Sequence, residues 1–192
     1  MGGKKGLIYV FSGEGKGKTS AALGVAVRAV CAGMKVVWVS WYKGCDWSIS
    51  EKRLEKLLGK DNLVMFWMGK GFYIKGKRGE IKQMDFDTPQ GHKKAALEAL
   101  NLCDDILCGK VEKVPRGVSL LVMDEVVNAV KDGLIEEEDV FNILEKRGKV
   151  HVILTGRGVS KGLIERADLV TEMEKVKHPY DRGEVAVKGL DF

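Results

Sequence analysis

Proline, cysteine and long apolar runs are all scarce in this chain, and each shortage removes a class of protein. Three prolines in 192 residues leave no candidate linker, and no internal repeat divides the chain. Four cysteines, Cys31, Cys45, Cys103 and Cys108, contain no C-x-x-C pair. Cys103 and Cys108 share a stretch of helical periodicity, so neither a zinc site nor a disulfide framework is expected, and the four read as buried free thiols. No apolar run reaches the roughly 18 residues that a membrane span requires, and Met1 to Lys5 offers no signal peptide, so a cytoplasmic protein without a membrane partner is expected. Charge of one sign is also in short supply: 32 basic residues stand against 27 acidic ones, widely spread, for a net +5. That excess permits a nucleic-acid partner without indicating one.

What remains is ordinary for a globular protein, with 45% hydrophobic and 31% charged residues. A chain of this length fits one compact domain spanning residues 1–192, since single cores commonly grow to about 200 to 250 residues before dividing. Leu7 to Phe11 is a short run of β formers that stops at Ser12-Gly13, which reads as a buried strand entering a turn. From Lys18 to Cys31 the composition is Ala-rich and suits a helix, Ala32-Gly33 ends it, and Val36 to Trp41 forms a second apolar run, completing a β-α-β unit. Further strands are expected at Leu63 to Trp67, Val118 to Met123, Val150 to Thr155 and Leu169 to Met173. Between Pro89 and Gly109, Ala96, Leu100, Cys103 and Leu107 recur at steps of four, three and four, which places them on one helix face against a sheet. Strands that are apolar at nearly every position and alternate with helices imply an α/β fold with a parallel central sheet covered on both faces. Residues 69–88 differ: Gly69, Gly71, Gly76 and Gly79 alternate with Lys70, Lys75, Lys77, Arg78 and Lys82, the pattern of a mobile basic loop.

The candidate chemistry begins at Gly13-Glu14-Gly15-Lys16-Gly17-Lys18-Thr19. A triphosphate needs many hydrogen-bond donors that approach closely without side chains intervening, and backbone N–H groups of a glycine-rich loop at a helix N-terminus supply them. Gly13, Gly15 and Gly17 suit that task, Lys18 would reach between phosphates, and the Thr19 hydroxyl would complete a Mg²⁺ shell. The loop is a variant, because the usual G-x-x-x-x-G-K-[ST] spacing has glycine where this chain has Ser12. Val118 to Met123 ends in Asp124-Glu125, carboxylates delivered at a strand end as metal partners, with helix capping as the competing role. This loop alone would serve phosphoryl transfer, nucleotide hydrolysis or nucleotide sensing.

The loop with Ser20-Ala21-Ala22, then Met123-Asp124-Glu125, Leu154-Thr155-Gly156-Arg157-Gly158 and Val176-Lys177-His178-Pro179-Tyr180-Asp181-Arg182-Gly183, resembles the P-loop type of ATP:corrinoid adenosyltransferase over about Gly6 to Phe192. The resemblance implies a three-layer, RecA-like P-loop fold and a homodimer. It also implies transfer of the 5′-deoxyadenosyl group of ATP to Co(I) of a corrinoid, giving adenosylcobalamin and inorganic triphosphate. The implied reaction uses no protein nucleophile; the corrinoid carries the hard chemistry while the protein orients the substrates and stabilises charge. Residues 13–20 and Arg157 would hold ATP, with Lys18 and Glu125 in catalytic roles. Thr19 and Glu125 would bind Mg²⁺ or Mn²⁺, with Asp124 acting directly or indirectly. A flavoprotein would donate the electron.

Two departures stand out. The family's Gly-Phe-Thr-Trp stretch, whose aromatics cover the lower corrinoid face, is matched here by Gly71-Phe72-Tyr73-Ile74, so Phe72, Tyr73 and Ile74 are the expected corrinoid contacts with isoleucine in place of tryptophan. Trp67, nearby, suits a core role. Only six residues precede the first strand where familiar members carry a longer helical segment, so cover over the corrinoid would have to come from elsewhere, with residues 69–88 as the candidate. A delivery or sensing module for ATP and corrinoid, and a RecA-like ATPase using Lys70 to Lys82 on nucleic acid, are the competing readings.

Overall fold

The computed structural model describes residues 4–71 and 87–191. Six strands form one sheet in the order β3-β2-β4-β5-β1-β6, and every neighbouring pair is parallel. They are β1 (Ile8–Ser12), β2 (Lys35–Ser40), β3 (Leu63–Trp67), β4 (Val118–Asp124), β5 (His151–Thr155) and β6 (Leu169–Glu172). The helices are α1 (Lys18–Cys31), α2 (Leu54–Leu58), α3 (Pro89–Leu107), α4 (Val126–Lys131), α5 (Glu137–Lys146) and α6 (Lys161–Arg166). Short 3-10 turns cover Ser50–Arg53 and Pro179–Arg182.

Parallel strands require crossovers, and the helices of those crossovers cover both sheet faces. Ala22, Ala26 and Ala29 of α1 pack on one face with Val36, Trp38, Leu120 and Ile153, and Leu54 and Leu58 of α2 join them. Small alanines let α1 approach the sheet closely. On the other face Ala96, Ala99 and Cys103 of α3, Val126 and Val127 of α4, Val140 and Leu144 of α5 and Leu163 of α6 meet Val37, Val39, Leu121 and Leu154. The result is a three-layer α/β architecture, with β5 inserted between the phosphate-loop strand β1 and the acid-tipped strand β4.

The expected helix over Pro89 to Gly109 forms with Ala96, Leu100 and Cys103 buried and Leu107 partly so, and Thr88 caps it by accepting from the Gly91 N–H at 3.1 Å. Two expectations are corrected. All four cysteines are free, but only Cys103 is buried; Cys31 ends α1, Cys108 caps α3 and Cys45 sits in a turn, so all three face solvent. The two-sided cover also fails at β6, an edge strand whose four residues are all exposed, whereas the opposite edge strand β3 buries Leu63, Val64 and Met65.

Candidate active site

All the elements that carry candidate chemistry end at the same edge. The phosphate loop follows β1, Lys43 lies in the turn after β2, Glu125 follows β4, Arg157 follows β5, and a C-terminal segment follows β6. The carboxyl edge of a parallel sheet is where open α/β folds place their ligands.

The cradle is shaped by backbone approach. Ser12 continues β1 in register with Glu172, so the turn begins one residue later than in the usual loop and Gly13 takes the left-handed φ of +98°. A Cβ at Gly13 would lie 2.4 Å from the Met173 carbonyl oxygen, and one at Gly15 would lie 2.6 Å from the Glu174 backbone. The Gly15 N–H donates to the Met173 carbonyl at 2.6 Å. Glycine is therefore required by a chain that lies alongside, as well as by any ligand. Gly17 precedes α1 without a side-chain cap, and no acidic residue occupies the first helical turn, which leaves the helix's positive end open to an anion.

Lys18 donates to the carbonyls of Gly13 (2.7 Å) and Gly15 (2.6 Å), which holds its ammonium inside the cradle. Burial, then repulsion from Arg157, pulls its pKa below the ordinary lysine value. Glu14 and Ser20 are exposed at the rim. Arg157 pairs with Glu14 at 2.7 Å, while its backbone N–H donates to Asn128 Oδ1 at 2.6 Å. That hydrogen bond from Arg157 is the main reason the Glu14 carboxyl titrates below its usual range.

Asp124 is fully buried and its carboxylate is saturated. Oδ1 accepts from Thr19 (3.0 Å) and Thr155 (2.9 Å), and Oδ2 accepts from Ser40 (2.9 Å) and Lys43 (3.1 Å). With four partners it has little capacity left for a metal and serves instead to orient the Thr19 hydroxyl. Glu125 has the only positive φ of a non-glycine among the described residues, +66°, and its N–H donates to Thr155 Oγ1 at 2.8 Å. Its side chain makes no capping hydrogen bond to α4 and instead lines the cleft. Burial first, and then the neighbouring Asp124 charge, push its carboxyl up to about 7, against the pull of Lys43, Lys18 and Arg157.

The cleft around these groups encloses about 1180 Å³. It is lined by the phosphate loop with Glu125 and Arg157, by Trp47, Ile49 and Leu54, and by Lys175, His178, Tyr180, Asp181 and Leu190 of the C-terminal side. Small-molecule sites commonly hold roughly 300 to 1,000 Å³, so this cleft is ample for a nucleotide. Lys16 extends away from the loop to this C-terminal side, pairing with Asp191 and donating to the Leu190 carbonyl at 3.1 Å. Within that side His178 Nδ1 accepts from the Tyr180 N–H at 3.1 Å, and Lys175 pairs with Asp181 at 2.8 Å.

The loop, Thr19, Asp124, Glu125 and Arg157 are thus brought together as expected. Phe72, Tyr73 and Ile74 lie outside the described residues, as does most of the expected basic loop. Trp67 is partly buried against the α1 face of the core, in keeping with the expected core role, and the Lys52 ammonium stands 5.6 Å from its ring. Sequence reading missed Lys43 and Glu51, which pair at 3.2 Å and line the cleft; a lone lysine after a strand carries no local signature. Asp124, Glu125 and Glu51 more than offset the effect of burial on Lys43, holding its pKa above the ordinary lysine value.

A metal here would find oxygen donors. Among the described residues no group of three or more His, Cys, Asp or Glu side chains forms a cage, so a closed zinc or calcium site is not built. The Thr19 hydroxyl and the Glu125 carboxylate suit a Mg²⁺-like cation that takes its remaining ligands from phosphate oxygens and water. No described helix is long and apolar enough to cross a membrane.

Residues 4–192 match the family described as ATP:corrinoid adenosyltransferase BtuR/CobO/CobP. The corrinoid adenosyltransferase of Pseudomonas aeruginosa is 34% identical over 190 residues, covering 98% of this chain and 85% of that protein. Corrinoid adenosyltransferase CobA of Salmonella typhimurium is 33% identical, covering 98% and 87%. Among solved structures, a KaiC-like protein, PH0186, from Pyrococcus horikoshii superposes with a TM-score of 0.49 at 15% identity, covering 91% of this chain and 76% of that one.

Proposed function

This chain belongs to the ATP:corrinoid adenosyltransferase family and is a transferase that adenosylates corrinoids, and we propose that it does so by displacing triphosphate from the 5′ carbon of ATP with Co(I) as the nucleophile. The observation that carries this reading is the cradle itself: the glycine-rich loop, Lys18 and the uncapped α1 N-terminus line one cleft with Glu125 and Arg157. Triphosphate is the leaving group, and it is the part of ATP that gains charge as the bond to the 5′ carbon breaks. Fixed donors aimed at that charge lower the barrier without reorganising. Lys18, already held between the loop carbonyls of Gly13 and Gly15, is such a donor.

Thr19 and Glu125 would hold Mg²⁺, with Asp124 fixing the Thr19 hydroxyl from behind. The ion would neutralise part of the triphosphate charge. Arg157 would exchange its exposed Glu14 partner for a phosphate oxygen, an exchange that costs little because exposed pairs contribute about 0 to 1 kcal/mol. The volume beyond the cradle would admit the corrinoid, with Phe72, Tyr73 and Ile74 as its proposed contacts.

Incubation of the protein with MgATP and chemically reduced cob(I)alamin tests the reading. Light-sensitive adenosylcobalamin and inorganic triphosphate should appear one for one. Release of ADP and phosphate, stimulated by DNA or RNA, would overturn it in favour of a motor.

A further inference from the structure

We propose that Asp191 is a positioning residue of the ATP site: through Lys16 it fastens the C-terminal turn Val187–Asp191 to the phosphate loop, so that the turn stands as a wall of the cleft. The inference rests on the functional reading above and deepens it by giving the Lys16 side chain a task other than contact with phosphate.

The charged side chains of the loop part company. Lys18 stays inside the cradle on the Gly13 and Gly15 carbonyls. Glu14 and Lys16 leave it, each toward the chain that follows one of the two strands flanking β1: Glu14 pairs with Arg157, after β5, and Lys16 pairs with Asp191, in the segment after β6.

The turn that receives Lys16 is closed on itself. Asp191 Oδ2 accepts from the Val187 N–H at 2.6 Å, while the Asp191 and Leu190 N–H groups donate to the Val187 carbonyl at 2.8 and 3.1 Å. Gly189, at φ +85°, lets the chain reverse between them. This closure leaves Asp191 Oδ1 and the Leu190 carbonyl together, and both meet the one Lys16 ammonium. The C-terminal segment is thereby tied to the phosphate loop at two points, since the Gly15 N–H also donates to the Met173 carbonyl. Lys175, His178, Tyr180 and Asp181, which line the cleft, lie between the two ties.

The Lys16 tie is the weaker of the two. Its side chains are 41% and 27% exposed, so it biases the turn toward the loop by a small, salt-sensitive factor. A ligand that needs the wall in place binds with an affinity reduced by the fraction of molecules in which the wall is absent. Loosening the tie therefore raises KM for ATP and leaves the chemical step alone.

Tryptic cleavage after Lys188, inside the turn, reads its opening in protein without ligand. Asp191→Asn keeps an oxygen for the Val187 N–H and removes only the charge. It should speed cleavage about 3- to 5-fold, a difference that should vanish in about 1 M NaCl, while Asp191→Glu should stay near wild type. Lys16→Met should act as Asp191→Asn does, and the double variant should be no faster than either single one. In transfer from MgATP to cob(I)alamin, Asp191→Asn should raise KM for ATP about 3- to 5-fold with kcat within about 2-fold of wild type. Cleavage of Asp191→Asn at the wild-type rate, or additive effects in the double variant, overturns the tie. An unchanged KM overturns the wall. A wild type that forms no adenosylcobalamin overturns the functional reading, and the cleavage rates, measured without ligand, still decide whether the tie exists.

Discussion

The phosphate cradle and the C-terminal segment line one cleft, yet they are held by different physics. In the cradle Gly13 and Gly15 press backbone to backbone against Met173 and Glu174, and the buried Asp124 has four hydrogen-bond partners. From Lys175 onward the chain is mostly exposed, and its contacts are surface pairs such as Lys175–Asp181 and Arg182–Glu184. The first arrangement has one geometry because steric exclusion and desolvation punish any other; the second has salt-screened contacts that cost little to exchange. A site that must hold a triphosphate still while admitting a bulky second substrate needs both kinds of wall.

The strongest break of this contrast is Lys18→Ala. Losing the fixed cation at the leaving group should lower kcat about 10²- to 10³-fold with the fold intact by circular dichroism. Turnover near the wild-type rate would remove Lys18 from the chemistry.

Gly13→Ala attacks the cradle's rigidity instead. It places a Cβ 2.4 Å from the Met173 carbonyl oxygen at φ +98°, and overpacking with backbone strain should cost roughly 2 to 4 kcal/mol in denaturant unfolding. A stability within error of wild type would mean that the cradle and the chain after β6 do not touch as described.

Glu125 gives a pH signature. A carboxyl raised from 4.5 to about 7 in the folded state contributes stability that is fully present below the unfolded value and is lost as pH rises through about 7. Metal-free protein should therefore lose on the order of 2 kcal/mol between about pH 4.5 and 7.5, and Glu125→Gln should flatten that window. The same variant should weaken the Mg²⁺ dependence of ATP binding, since an amide is a poorer ligand for a hard cation. Identical pH–stability curves for the two proteins would place the Glu125 carboxyl in solvent.

The smallest effects belong to the exposed pairs. Asp181→Asn and Glu14→Gln should each leave stability nearly unchanged, with any shift vanishing at high salt. A larger, salt-insensitive loss for Asp181→Asn would show that the C-terminal wall is as firmly built as the cradle, and would erase the contrast.

The order of strands and helices, the glycine-rich loop between Ser12 and Lys18 and the acidic tip of β4 were all legible along the chain. These are local patterns: apolar runs of strand length, a helical repeat at Ala96, Leu100 and Cys103, and turn residues at the ends of elements. Even the departure at Ser12 was legible, though only the paired strand shows that Ser12 extends β1 and passes the turn to Gly13. Tertiary structure alone decided that Asp124 is saturated rather than free for a metal, that Arg157 rests on Glu14, and that Lys43 joins Asp124 to Glu51. It also decided that most of the cysteines are exposed. The reason is distance along the chain. Lys43 and Asp124 are 81 residues apart, and Lys16 and Leu190 are 174 apart. Such contacts leave no period in the sequence; they exist because a parallel sheet gathers the carboxyl ends of its strands at one edge.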